Sequence, residues 1–336
     1  MRVPPYCGAG LRTAGAARVL VRGEPSSHPS GKPGPGVGDS DRPSASSPRE
    51  HLMTAASPAG ARRTSLLLVT DLAYEARGRR YCDEDIYLSS RLREAFDVAL
   101  CHPRDAAALL AGFDTVLIRN SGPVLHYREA YDAFLVRARG LGTAVYNPLD
   151  GRGDMAGKEY LVEMSAAGLP VIPTVDRAAE LPGLPDVPQY VVKPKLGADS
   201  AGLRFVAAAE ARTELEAAAE GSLLVQPRID FRHEVSFYFV DHDFQYALYA
   251  PDPERRWVLE PYAASAEDLE FARRFIAWNT LDHGIQRVDA CRTADGALLL
   301  VELEDLNPYL SLDRVAEDVR EVFVARLKTS IASLPR

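Results

Sequence analysis

From Ser65 onward, short apolar runs alternate with stretches of helical spacing, and that alternation restricts the fold more than any other feature of the chain. "SLLLVTD" (65–71), "DVALCHP" (97–103), "DTVLIRNSG" (114–122) and "AVYNP" (144–148) read as strands. Between them "DIYLSSRLREAF" (85–96), "RDAAALLAG" (104–112) and "YREAYDAFLVRARGLG" (127–142) read as helices. In the first of these, Ile86, Leu88, Leu92 and Phe96 supply the apolar spacing. Short strands joined by crossover helices make an open parallel α/β sheet, whose ligand crevice lies at the carboxyl ends of the strands. Asp71, Arg119, Asn120 and Ser121 fall at such ends.

The second half changes style. "MAGKEYLVEMSAAGLPVIPTV" (155–175) reads as a helix followed by a strand, and "QYVVKPKLGADSAGLRFVA" (189–207) as a hairpin with a polar, glycine-containing connection. "SLLVQPRID", "HEVSFYFVD", "FQYALYAP" and "WVLEPY" read as further strands. "EARTELEAAAEG", "AEDLEFARRFIAWNTLDHG" and the closing "RVAEDVREVFVARLKTSIASL" read as helices. Antiparallel hairpins backed by helices indicate α+β units, so the expected fold class is α/β and α+β. The expected layout is an extension over 1–63, an α/β domain over 64–149, and a second domain over 150–334 divided into about 150–227 and 228–334.

The extension is set apart by composition. It holds nine prolines and nine glycines against one aromatic, Tyr6, too little apolar area to offset its ordering entropy. Disorder is therefore expected, and Met53 offers an alternative start. Nine basic against four acidic residues give it a charge of +5, which leaves −13 of the total −8 on the remainder. That acidic balance argues against nucleic acid or an anionic membrane as partner. No apolar run reaches spanning length, and "SLLLV" after Arg62-Arg63 is too short for a signal-peptide core. Cys7, Cys82, Cys101 and Cys291 lack CxxC spacing and the seven histidines are dispersed, which favours reduced thiols in a cytoplasmic protein.

The chemistry concentrates in "QRVDACRTADGALLLVELEDLNP" (286–308). Thr293-Ala294-Asp295-Gly296 is a hairpin turn, and side chains alternate along each arm. Arg287 and Asp289 thus share a face on the first arm, Glu302 and Glu304 on the second. By itself this hairpin suits a solvated outer face equally well. Three earlier features tip the balance. Lys158 follows "NPLDGRGDMAG". Lys193 stands among apolar neighbours in "YVVKP", where an ammonium group is expensive to bury without an anion. Gly197, Ser200 and Gly202 in "KLGADSAGL" let backbone amides approach phosphate oxygens, although most such connections are ordinary turns. Val225, Gln226, Ile229 and Glu234 suit an adenine slot and a ribose contact, or an ordinary strand edge. Together the parts match a nucleoside triphosphate with magnesium. Lysines and Arg287 meet phosphate, while Asp289, Glu302 and Glu304 meet a hard divalent cation.

In this order the motifs, which run over roughly residues 65–330, resemble those of the ATP-grasp ligases. The resemblance implies an ATP-grasp fold preceded by the N-terminal parallel domain. It also implies ATP and Mg²⁺, with Mn²⁺ as the alternative ion. Lys158 and Lys193 would then contact phosphates, Ser200 and its loop would cover them, and Glu234 would bind ribose. The family's metal motif is Glu-x-Asn followed shortly by proline, whereas this chain reads "ELEDLNP". Glu304 holds the usual asparagine place and Asn307 stands three residues later, so either completes the ligand set. "VTDLAYEARGRRYCDEDIYLSSRLRE", "YVVKPKLGADSAGLRFV", "QYALYAPDPERRW" and "VELEDLNPYLSLD" are similar to the ring-closing members that serve antibiotic biosynthesis. That similarity implies cyclisation of O-ureido-D-serine, with the carbamoyl group lost as CO₂ and ammonia.

Partners implied by this reading are ATP and a small amino-acid-derived substrate, with a homodimer compatible. Asn120, Ser121 and Gly122 in "RNSGP" are the candidate substrate contacts, or else a polar loop. Tyr81, Asp83, Glu84 and Asp85 open a helix, where acids serve capping as readily as chemistry. Three other readings compete: an intermolecular carboxylate–amine ligase, a nucleotide-binding module without turnover, and a nicotinamide oxidoreductase. The last is disfavoured because "VTDLAYEARG" has no GxGxxG turn after the first strand.

Overall fold

The computed structural model describes residues 62–76, 79–119, 124–196, 202–252, 255 and 257–335, all within the unit Gly60–Arg336. The first apolar run is β1 (Ser65–Val69), followed by a short ladder of β2 (Glu75–Ala76) and β3 (Arg79–Arg80) and by α1 (Tyr81–Leu92). Then come β4 (Asp97–Cys101), α2 (Ala106–Leu109), β5 (Thr115–Ile118), α3 (Arg128–Leu141) and β6 (Ala144–Tyr146). β1, β4, β5 and β6 form a parallel sheet in the order β4-β1-β5-β6. Its strands are apolar on both faces because helices cover both. Leu67, Val69, Val116 and Ile118 pack on Leu110, Phe134 and Ala138. Leu66, Leu68 and Leu117 pack on Leu88 and Leu92 of α1 and on the last helix.

The remaining elements are α4 (Tyr160–Ala166), β7 (Tyr190–Pro194), β8 (Arg204–Val206), α5 (Ala208–Ala217), β9 (Leu223–Pro227), β10 (Phe231–Val240) and β11 (Asp243–Ala250). They are followed by β12 (Glu260–Pro261), α6 (Ala266–Asn279), β13 (Ile285–Thr293), β14 (Leu298–Glu304) and α7 (Glu317–Ala332). A three-stranded antiparallel sheet has the order β8-β7-β9, and a five-stranded one the order β12-β11-β10-β13-β14. Val235, Phe237, Phe239, Val288 and Ala290 turn one face of the larger sheet onto α4 and α6. Tyr238, Val240 and Ile285 turn the other toward α7, whose Phe323, Val324, Leu327 and Ile331 also meet the parallel sheet. α7 is therefore the apolar filler between the two sheets.

Three local expectations are corrected. Ile86 is 48% exposed, and the helix instead buries Cys82, Glu84, Asp85 and Ser89. The chain after α4 is not a strand, for Val171 and Val175 make only single bridges, to Leu300 and Val225. "WVLEPY" shortens to the two residues of β12 at the sheet edge. In each case burial and pairing partners overrode local propensity. Among the described residues no helix is long and apolar enough to cross a membrane.

Candidate functional site

The site grows from the register of β10, β13 and β14. Tyr238 lies opposite Arg287, Arg287 opposite Glu304, and Asp289 opposite Glu302, so these side chains share one face. A bulge after Asp289 absorbs Val301 and preserves that alignment into the acidic end of β14. Arg287 occupies the centre. Its Nη2 donates to Asp289 Oδ2 at 2.8 Å and to Glu304, its Nε to Asp289 Oδ1 at 2.9 Å, and its Nη1 to the Tyr309 carbonyl at 2.8 Å. The guanidinium carbon lies 5.9 Å from the centre of the Tyr238 ring. Burial opposes the charge of Arg287, but Asp289 and Glu304 outweigh it and hold the pKa well above the ordinary value.

Carboxylates outnumber their counter-charges here. Burial first, and then the charges of Asp289 and Asp154, push Glu304 up to about 8 against the pull of Arg287. Asp154 is likewise pushed up to about 8 by burial and by Asp305. Lys158, 6% exposed, pairs with Glu302, and burial lowers its pKa despite Asp154, Glu304 and Asp289. The described residues contain no group of three acidic, histidine or cysteine side chains at metal-holding spacing. The donor set itself fits magnesium: carboxylate oxygens of Asp289, Glu302 and Glu304 with the Asn307 amide close along the chain, in surroundings short of positive charge.

Lys193 projects from β7 on the face it shares with Leu224 and Gln226 of β9. Part of the residue meets solvent, yet its ammonium group is well desolvated. Burial, then the neighbouring Lys158, bring its pKa down to about 7. Among the described residues it has no carboxylate partner. Lys195, two residues on, differs, for it is neutralised by Glu159 and by Asp176 at 2.7 Å. The Lys158 amide donates to the Lys195 carbonyl at 3.0 Å, which ties the two lysine-bearing segments together.

The other candidate residues are distributed around this centre. Gly202 has φ +75, and a Cβ there would meet Pro194 Cγ at 2.9 Å, so only glycine closes that turn. Val225 turns its side chain into the core of the small sheet, and its amide and carbonyl both bond Val175, at 2.8 and 3.0 Å. The Gln226 amide donates to Thr174 Oγ1 at 2.8 Å. Ile229 and Glu234 are half-buried, Glu234 lying between Ala250 and Cys291. Asn307 is half-buried just beyond β14. Asn120, Ser121, Gly122, Gly197 and Ser200, like residues 1–61, lie outside the described residues.

Behind the acidic face sits a polar box that sequence reasoning did not find. Asp305, fully buried, accepts from the amides of Gly153 and Met155, both at 2.8 Å, and from Asn279 Nδ2 at 3.0 Å. Asp154 Oδ1 in turn accepts from the Asp305 amide at 2.7 Å, and the Leu303 amide donates to Tyr160 Oη at 2.7 Å. Asn147 donates to the Ile285 carbonyl at 2.6 Å and to the Asp305 carbonyl, joining the end of β6 to the start of β13. A Cβ on Gly153 would meet the Leu303 carbonyl at 2.6 Å, so the loop before Lys158 must carry glycine there. That "DGRGD" loop was the available signal, a glycine-rich approach to another backbone.

No protein-family model matches the chain, and neither does any curated protein. Solved structures do. D-cycloserine synthetase DcsG aligns with a TM-score of 0.62 at 22% identity, over 79% of this chain and 98% of that one. The ATP-grasp ligase PsnB, complexed with a phosphomimetic variant of its minimal precursor, Mg and ADP, gives 0.55 at 18% identity over 78% and 98%. D-alanine–D-alanine ligase from Bacillus anthracis, complexed with ATP, gives 0.56 at 14% identity over 80% and 97%. With its parallel sheet, its two larger antiparallel sheets and these likenesses, the chain has the ATP-grasp fold.

Proposed function

We propose that this protein is an ATP- and Mg²⁺-dependent carboxylate ligase that closes O-ureido-D-serine into D-cycloserine. The nucleotide part rests on one observation above all. Lys193 presents a desolvated ammonium group with no anion among the described residues, beside Lys158 and its acidic partner Glu302. Such a group is costly unless polyphosphate meets it. The cyclising part rests on the likeness to DcsG and on the sequence stretches noted above.

In this reading the substrate carboxylate oxygen attacks the γ-phosphorus, ADP leaves, and an acyl phosphate forms. The substrate's own ureido nitrogen, the one bonded to oxygen, then attacks the acyl carbon, loses its proton and closes the ring as phosphate departs. The carbamoyl group is hydrolysed, water entering and CO₂ and ammonia leaving. Lys158 and Lys193 hold phosphate oxygens, while Arg287 stabilises the charge that grows on the transferring group. Val225, Gln226 and Ile229 take adenine and Glu234 takes ribose. Asp289 and Glu302, with Glu304 or Asn307 as the third ligand, would hold magnesium, which would supply further charge neutralisation. Attack within one molecule needs only a folded pose, and such proximity is worth roughly 7–11 kcal/mol of barrier.

Coupled ADP release with O-ureido-D-serine as sole substrate, followed by chromatography of the product, tests this. A ring product with stoichiometric ADP is the expected result. ADP release only when a second amino acid is added would replace the cyclase by an intermolecular ligase, the reaction type of the D-alanine–D-alanine ligase neighbour. Absence of ADP release with every carboxylate tried would remove the ligase altogether.

A further inference from the structure

A second ionic cluster lies apart from the lysines and the acidic face. Arg119, at the end of β5, donates from Nη2 to Glu84 Oε1 at 2.7 Å, from Nε to Asp85 Oδ1 at 3.1 Å, and from Nη1 to the Pro308 carbonyl at 2.7 Å. The three side chains are 3%, 3% and 1% exposed. Glu84 also accepts from the amides of Leu310 at 2.9 Å and Leu312 at 3.2 Å, and Thr70 Oγ1 donates to Asp85 Oδ2 at 2.5 Å. The cluster thus binds the ends of β1 and β5 and the first turn of α1 to the segment that follows β14.

A buried ion group of this kind is weak evidence for stability, since apolar residues of similar volume often do as well. What it provides is direction. Three of its bonds end on backbone atoms of Pro308, Leu310 and Leu312, and Tyr246 Oη holds the Leu310 carbonyl at 2.8 Å from the other side. Between those anchors lies Tyr309, whose carbonyl receives Arg287 Nη1 at 2.8 Å. Asn307 immediately precedes the Pro308 anchor. One of the contacts that place Arg287, beside those to Asp289 and Glu304, is therefore made by a segment whose own placement is set by Arg119 and Glu84.

We propose that Arg119, Glu84 and Asp85 are positioning residues, a buried clamp that fixes the Asn307–Tyr309 segment and through it aims Arg287 at the polyphosphate. The inference rests on the nucleotide reading above and adds to it residues of the N-terminal parallel domain. It makes a distinctive demand: disturbing the clamp must act at the phosphate end of the nucleotide only, and chiefly through Arg287.

The test compares wild type, Arg119→Lys, Glu84→Gln, Arg287→Lys and the double variant Arg119→Lys/Arg287→Lys. Folding is followed by thermal unfolding, and calorimetry with magnesium reports ATP and AMP binding separately. Glu84→Gln keeps size and an acceptor oxygen, so it serves even if Arg119→Lys fails to fold. Each clamp variant should lose at least tenfold in ATP affinity while AMP affinity stays within twofold. The double variant should bind ATP no more weakly than Arg287→Lys alone, because groups acting through one another are not additive. ATP affinity within twofold of wild type in a folded clamp variant, or additive losses in the double variant, would overturn the clamp. Wild-type protein that binds no ATP would overturn the functional reading and the clamp with it.

Discussion

Glu304 and Asp305 are neighbours in sequence, both carboxylates and both shielded from water, yet they belong to opposite kinds of environment. Asp305 faces the box, where its donors are two loop backbone amides and the Asn279 side-chain amide, all neutral, the last held in turn by the Arg152 amide. Glu304 faces forward, where its partner is the long side chain of Arg287 and its neighbours include Asp289 and Asp154. Neutral, fixed donors satisfy a carboxylate without adding charge that could be used elsewhere. Guanidinium and ammonium partners on flexible stems can turn to another anion when one arrives. Alternation at the end of β14 thus divides a carboxylate held by neutral donors from one held by charged ones.

The largest effect belongs to the box. Asp305→Ala leaves the Gly153 and Met155 amides without their acceptor and takes one of two acceptors from Asn279 Nδ2, each lost bond worth roughly 1–3 kcal/mol where it is buried. Unfolding should move down by about 10 °C or more for a chain of this size. Thermal denaturation measures it directly, and a shift of only about 3 °C would show that the box tolerates an empty acceptor and that the contrast with Glu304 is false.

Lys193→Met attacks the forward side. Binding of Mg-ATP should fall about a hundredfold, because a charge-assisted phosphate contact is removed. The melting temperature should hold or rise, since a desolvated ammonium group gives way to an apolar side chain. Equal loss of stability and of binding would reclassify Lys193 as a structural residue like Lys195.

The same substitution fixes a pH dependence. The folded pKa of Lys193 is about 7, below its ordinary 10.5. Between those values the unfolded chain carries a proton that the folded chain lacks, so this group's contribution to stability increases as pH rises. Glu304 and Asp154, raised to about 8, act in the opposite sense, and they do so in wild type and variant alike. From pH 8.5 to 9.5 wild type should gain on Lys193→Met by about 1 kcal/mol, as one proton per molecule requires. Parallel denaturant curves for the two proteins across that range would remove the claim that this lysine is desolvated.

The forward side was the more legible of the two. Alternation on either side of an Asp-Gly turn is local information, enough to gather Arg287, Asp289, Glu302 and Glu304 onto one face, and apolar flanks were enough to mark Lys193. The parallel sheet was legible for the same reason, since its strands are short apolar runs between helices. The box was not, because Asp305 lies far along the chain from its partners in the Gly153–Met155 loop and only the folded chain brings them together. Glu84 and Asp85 were read as helix-opening acids because nothing local announces a buried arginine 34 or 35 residues away. Ile86 was misread as inward for the complementary reason: burying those two acids against Arg119 turns the helix so that Ile86 faces out. Val225 carries its own lesson. Its pairing with Val175 depends on a bridge outside any regular strand, which pattern reading cannot supply.

The smallest effect is expected where geometry is nearly the same and surroundings are not. Arg274 Nη2 meets Glu270 Oε1 at 2.9 Å on α6, much as Arg287 Nη2 meets Asp289 Oδ2 at 2.8 Å. The α6 side chains are 55% and 71% exposed against 15% and 19% in the site. Water competes for both exposed partners and salt screens what remains, so the surface pair adds almost nothing. Glu270→Ala should shift the melting temperature by about 1 °C or less, and less again in 0.5 M salt, with ATP binding untouched. A shift several times larger would mean that ion-pair distance alone governs these contributions. The division between Glu304 and Asp305 would then have to be sought in geometry rather than in the company each carboxylate keeps.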